Sequence, residues 1–178
     1  RMILLTAHRR ENLLEKFSPI IVDNIRIKSD EEDSDLSILK IHKEYLDAGC
    51  NVITTNTFGA NSLKFNNVEE IIISAVSLAK KSAKDYDRDT FVALDVGPIG
   101  RLLEPCGDLP FVEAYDLFKE QVIAGENAGA DLVLIETMGD LYEIKAAVLA
   151  AKENTNLPVL VSMIFDEKGI LLTGADIK

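Results

Sequence analysis

The sequence predicts an α/β protein assembled from about five successive βα units, in the manner of a partial (β/α)8 TIM-type barrel. Three observations carry this. Five apolar runs, "ILLT" (3–6), "NVITTNT" (51–57), "TFVALDV" (90–96), "DLVLIET" (131–137) and "PVLVSMI" (158–164), are nearly continuous, as parallel strands covered on both faces require. Helical apolar spacing fills the intervals between the last four. Finally, "DAGCNVITTNT" (47–57) and "NAGADLVLIET" (127–137) align without a gap, so the chain repeats itself. A doubly wound open sheet is the competing architecture.

The opening strand runs into "AHRREN", and a second strand candidate, "IIVDN" (20–24), follows it. The acidic patch "KSDEEDSD" (28–35) reads as a solvated loop, because it lacks the glycine and terminal glutamate of a calcium loop. Leu36, Leu39, Lys43 and Leu46, flanked by Ile38, Ile41 and Tyr45, mark the first helix. Asn67 with Glu70, and Asp140 with Glu143, have capping-box spacing and open two further helices. Asp108 and Pro110 start another, which runs to about Ala128 and stops at Gly129. Each unit takes about 40 residues, so eight would need about 300, within the range of such barrels. The 178 residues read as one domain, 1–178, whose first 35 residues diverge from the repeating pattern. In a partial barrel, Ile3–Thr6 and 158–164 would be unpaired edges open to self-association.

A formal net charge of −11 argues against nucleic acid and anionic membrane as partners, since both need a basic surface. No apolar run approaches the length of about 18 residues that a membrane span needs, and no signal peptide is visible. Cys50 and Cys106 give no disulfide framework and suit a reducing compartment, so a cytoplasmic setting is expected.

In a barrel the chemistry collects at the C-terminal strand ends, which here present Asn56, Thr57, Asp95, Glu136, Thr137 and Asp166. Glu136 is the sharpest, because a carboxylate closing "LVLIE" must be paired or solvated. It could receive a substrate amino group, act as a general base, or simply brace a loop. The glycine-containing turns "TNTFGANS" (55–62) and "DVGPIG" (95–100) could face a ligand or be ordinary tight turns; neither matches a nucleotide-binding fingerprint. Cys50 reads as a core residue and His42 as a helix packing or surface residue. Cys106 lies on the side of the site but has no ligand partner nearby in sequence. No catalytic residue and no metal ligand can be assigned.

From about residue 36 onward, "IHKEYLDAGCNVITTNTFGANSLK", "VGPIGRLLEPCGDLPFVEAYDLFKEQ", "GADLVLIETMGDLYEIKAAVLAAKE" and "LPVLVSMIFDEKGILLTGAD" run in order over about 140 residues. They resemble the homocysteine S-methyltransferase family, in the form of the homocysteine-binding domain of cobalamin-dependent methionine synthase. The resemblance implies a (β/α)8 barrel in which zinc, held by three cysteines, binds homocysteine as its nucleophilic thiolate. It also implies methyl transfer from methylcobalamin, with the cobalamin and folate modules as partners in the intact enzyme. Glu136 matches the family's receptor for the substrate amino group. Asn56, Thr57, Phe58 and Gly59 match one substrate loop, and Gly97 in "VGPIG" matches another. The zinc cysteines have no counterpart in Cys50 or Cys106, which leaves a non-catalytic half-barrel for binding or assembly as an alternative. The family's glycine-rich opening loop is also missing. In its place "TAHRREN" resembles a motif of the UDP-N-acetylglucosamine 2-epimerases, carried by His8, Arg9, Arg10, Glu11 and Asn12; no second such motif follows.

Overall fold

A computed structural model describes residues 2–6 and 31–176. The elements are β1 (Met2–Thr6), α1 (Glu31–Asp47), β2 (Val52–Thr54), α2 (Val68–Ala83), β3 (Phe91–Val96), α3 (Phe111–Asn127), β4 (Leu132–Met138), α4 (Leu141–Asn154) and β5 (Val159–Met163). The five strands form one parallel sheet in the order β1-β5-β4-β3-β2.

Alternation along the strands separates two faces. Leu94 and Val96 of β3, Val133 and Ile135 of β4, and Val159, Val161 and Met163 of β5 join buried residues of α2, α3 and α4 in the main core. Ile53 and Val92 meet Leu46 of α1 and Ala79 and Ala83 of α2 in a smaller one. Ala93, Leu132 and Leu134, with Val52 and Leu160, form a separate layer built from strand residues alone. The helices therefore cover one face, and the other is the concave face that a barrel turns inward. Asp95 and Glu136 continue the parity of Ala93 and Leu134, which puts both on that concave face at its C-terminal rim.

The sequence expectations need three corrections. Ile3–Thr6 and 158–164 are not two open edges: β1 pairs with β5, Met2 opposite Val159 through Thr6 opposite Met163. β1 thus lies at the far end of the sheet from β2, because strand order is set by long-range pairing rather than by chain order. The acidic patch is not wholly a loop, since α1 begins at Glu31; acidic residues favour the first turn of a helix, where they oppose its dipole. At α2, Asn67 makes no side-chain cap; its amide instead donates to Glu70 Oε2 at 3.4 Å. The other capping signals hold in part. Asp140 caps α4 by accepting from Tyr142 N at 2.8 Å, and Gly49 and Gly129 close α1 and α3 with φ of +100° and +92°. The "IIVDN" candidate strand lies outside the described residues. No helix among the described residues is long and apolar enough to cross a membrane.

Candidate functional site

The loops after β2 and β3 are sewn together. Thr55 Oγ1 accepts from Asp95 N at 3.0 Å, Thr57 Oγ1 donates to the Asp95 carbonyl at 2.7 Å, and the two hydroxyls lie 2.7 Å apart. Gly97 N donates to the Phe58 carbonyl at 3.0 Å. A Cβ on Gly97 would sit 2.5 Å from that carbonyl and 2.6 Å from the Phe58 ring, so only glycine lets the loops meet this closely. Asn61 Nδ2 adds a bond to the Ile99 carbonyl at 3.3 Å.

Glu136 is presented differently. Ile135 pairs with Val161 but Met138 pairs with Met163, so β4 carries one extra residue at Glu136–Thr137. This bulge puts Thr137 at φ +64°, a conformation a β-branched side chain rarely adopts. Bulges of this kind re-aim side chains beside binding sites. Ser162 Oγ of β5 accepts from Thr137 N at 3.2 Å and Ile164 N donates to the Met138 carbonyl at 2.9 Å, which anchors the bulge on both sides.

Across the rim, Val96 pairs with Ile135, and Gly97, just beyond β3, and Glu136 of β4 are the residues that follow this pair. Asp95 and Glu136 are both buried, each 6% exposed, and their carboxyls share a hydrogen bond. Asp95 Oδ1 is buried without a donor among the described residues. Burial first, then the Glu136 charge and the shared bond, push the Asp95 carboxyl up to about 8. Burial also raises Glu136, but the bond from Asp95 pulls it back. Two buried acids side by side therefore favour sharing a proton over both ionising.

Glu143 of α4 is a further buried acid, and its Oε1 accepts from Ile99 N at 2.8 Å. That bond ties the helix after β4 to the loop after β3. The capping-box spacing marked Glu143 in the sequence, but only the fold turns it toward Ile99. Ser162 and the bulge had no sequence signal. The anticipated residues divide accordingly. Thr57, Phe58, Gly59 and Gly97 share the sewn loops, and Glu136 stands beside them with Asp95. Asn56 is exposed and borders a separate groove of about 400 Å³ lined by residues of α1 and α2. Asp166 braces its own loop, accepting from Lys168 N and Ile170 N at 2.9 Å each. His42 is buried, and neither ring nitrogen has a hydrogen-bond partner among the described residues. His8 through Asn12 lie outside the described residues.

A zinc site does not fit the described residues. Cys50 precedes β2, at the end of the sheet opposite the rim, Cys106 is exposed, and no group of three His, Cys, Asp or Glu side chains could hold a metal ion.

Comparison with known proteins agrees with this architecture. The crystal structure of the homocysteine methyltransferase MmuM from Escherichia coli, in its oxidized form, superposes with a TM-score of 0.70 at 21% identity, covering 82% of this chain and 56% of that one. Its metallated form gives 0.69 at 18% identity over 99% and 67%. Methionine synthases from Mycobacterium tuberculosis and Mycobacterium leprae are each 28% identical over 151 residues, 77% of this chain. The chain spans about an eighth of their length, 13% and 12%. The family model for homocysteine S-methyltransferase matches residues 5–178, and on that match the chain belongs to the homocysteine S-methyltransferase family.

Proposed function

We propose that this chain supplies the amino-acid-binding rim of a methyltransferase that methylates homocysteine, in a protein of the methionine synthase type. The observation that supports it best is Glu136: a buried carboxylate on the concave face at the end of β4, re-aimed by a bulge, with no lysine, arginine or histidine of the described residues acting on it. An ammonium group supplies the positive charge and donors that such a carboxylate lacks. The sewn loops beside it bring Phe58, Gly59 and Gly97 to the same rim, where an amino acid's remaining atoms would lie.

In this reading Glu136 binds and orients homocysteine, and the loops hold the rim rigid. The family resemblance implies methylcobalamin as the methyl donor and cobalamin and folate modules as partners. No step is assigned to zinc, since the described cysteines do not fit it. The two free cysteines favour a cytoplasmic setting, and the outer edge of β2 is the candidate surface for self-association.

Calorimetric titration tests the reading. Homocysteine should bind the chain, whereas 4-sulfanylbutanoate, which lacks only the amino group, should bind at least about tenfold more weakly, the loss of one charge-assisted contact. Equal affinities for the two ligands would overturn it.

A further inference from the structure

Asp95 poses a problem that its fold role does not solve. Its backbone is fully used: the N–H donates to Thr55 Oγ1 and the carbonyl accepts from Thr57 Oγ1. Its side chain is not. Among the described residues Oδ1 is buried without a donor, and the carboxyl's hydrogen bond is with another acid, Glu136. Buried polar atoms in folded proteins are normally satisfied, and an orphan facing a site indicates a missing partner. A structural carboxylate would have been met by amide donors, as Asp166 and Asp131 are.

We propose that Asp95 is a second recognition residue for the substrate ammonium, and that the Asp95–Glu136 pair exchanges its shared proton for that cation. This rests on the reading of Glu136 as the amine receptor and deepens it. The exchange balances. The free pair holds one proton and a net charge of −1; the occupied site holds two carboxylates and one ammonium, again −1. The proton leaves to solvent, and no bond to carbon or sulfur changes. A primary ammonium offers three N–H donors, enough to reach both carboxylates. Replacing one monocation by another avoids the cost of burying a second uncompensated negative charge, which would oppose any neutral ligand that expelled the proton. The pair thus discriminates for amines by charge as well as by shape.

The surroundings permit this. The loop after β2 presents the hydroxyls of Thr55 and Thr57 to the Asp95 backbone, and β4 presents Glu136. No cation of the described residues acts on either acid, and the helices lie on the opposite face of the sheet. With Asp95 titrating at about 8, the pair is largely protonated at pH 7. Each homocysteine should then release about one proton, and affinity should rise about tenfold from pH 6 to pH 7.

The test is calorimetry of the chain with L-homocysteine at pH 7 in phosphate and in Tris, whose ionisation heats differ. The dependence of the observed heat on the buffer gives the protons released. The wild type should release about one proton more than Asp95→Asn; any proton from the thiol is common to both and cancels. The carboxyl 13C resonance of Asp95, followed in the wild type alone, should move from its protonated to its ionised position as homocysteine is added. That measurement stands even if the variant does not fold. Homocysteine binding with the Asp95 resonance unmoved overturns the exchange and leaves Glu136 as sole receptor. Absence of homocysteine binding by the wild type overturns the functional reading itself.

Discussion

The ends of β2 and β4 are near copies in sequence and opposites in use. Both follow a helix closed by a left-handed glycine, Gly49 or Gly129, and both finish in a polar residue and a threonine, Asn56–Thr57 and Glu136–Thr137. After β2 the polar groups are spent on folding: Thr55 and Thr57 bond the β3 backbone, and Asn56 turns out to solvent. In β4 an extra residue breaks the register, Thr137 takes the strained backbone, and Glu136 meets the acid Asp95. Alignment alone would make Asn56 and Glu136 equivalent. Hydrogen bonding makes one end a brace and leaves the other presenting a buried carboxylate, Glu136.

The sharpest way to break this contrast is Glu136→Gln. It removes charge without changing shape, so homocysteine affinity should fall about 100-fold, close to 3 kcal/mol, by loss of a charge-assisted contact. The thermal midpoint should stay the same or rise, because a buried carboxylate disappears. A variant that binds normally but unfolds early would make Glu136 a brace as well. Gly97→Ala attacks the other side. Its Cβ would meet the Phe58 carbonyl at 2.5 Å and force the sewn loops apart. Overpacking at such a site costs about 2 to 3 kcal/mol, readable as a lower urea midpoint; an unchanged midpoint would show that the loops part freely.

The same contrast explains what the sequence could and could not reveal. Strands were legible because residues such as Val92, Leu94, Val133 and Val159 must be apolar whatever they touch. The place of Glu136 at the C-terminal end of its strand followed once β4 was recognised. The place of β1 beside β5 was not legible, since pairing partners depend on contacts more than 150 residues apart, as Met2 with Val159 shows. Nor was the bulge, because nothing in "IETM" says that β5 offers two residues where β4 offers three. The acidic start of α1 misled for a related reason: the same carboxylates suit a solvated loop and a helix N-terminus, and only propagation of the helix decides between them.

Thr57→Val gives a smaller effect with the opposite signature to Glu136→Gln. It deletes the donor to the Asp95 carbonyl and the partner of Thr55 while keeping the volume. A buried acceptor left unpaired costs about 1 to 2 kcal/mol. Denaturant unfolding should show that loss at every pH, because no ionisable group is involved. A loss confined to pH values below about 8 would mean that Thr57 acts by holding Asp95 in its protonated form.

The smallest effect concerns the strap from the β4 side to the β3 loop. Burial lifts Glu143 to about 7 against an ordinary value of 4.5; the Ile99 N–H opposes the rise, the Asp140 charge adds to it, and Lys64 opposes it. The folded chain therefore holds this proton more tightly than the unfolded chain does. Below about pH 4.5 both states are protonated and the group costs nothing. Between there and pH 7 the unfolded state ionises first, so stability falls as pH rises, and above 7 the full penalty remains. Glu143→Gln keeps an oxygen for Ile99 N and removes the ionisation. At pH 8 it should be about 1 kcal/mol more stable than the wild type, after local relaxation absorbs part of the penalty, and at pH 4.5 no more stable. Urea midpoints at the two values decide it. A variant less stable than the wild type at pH 8, where Glu143 is ionised, would show that the strap needs the carboxylate's charge on Ile99 N–H.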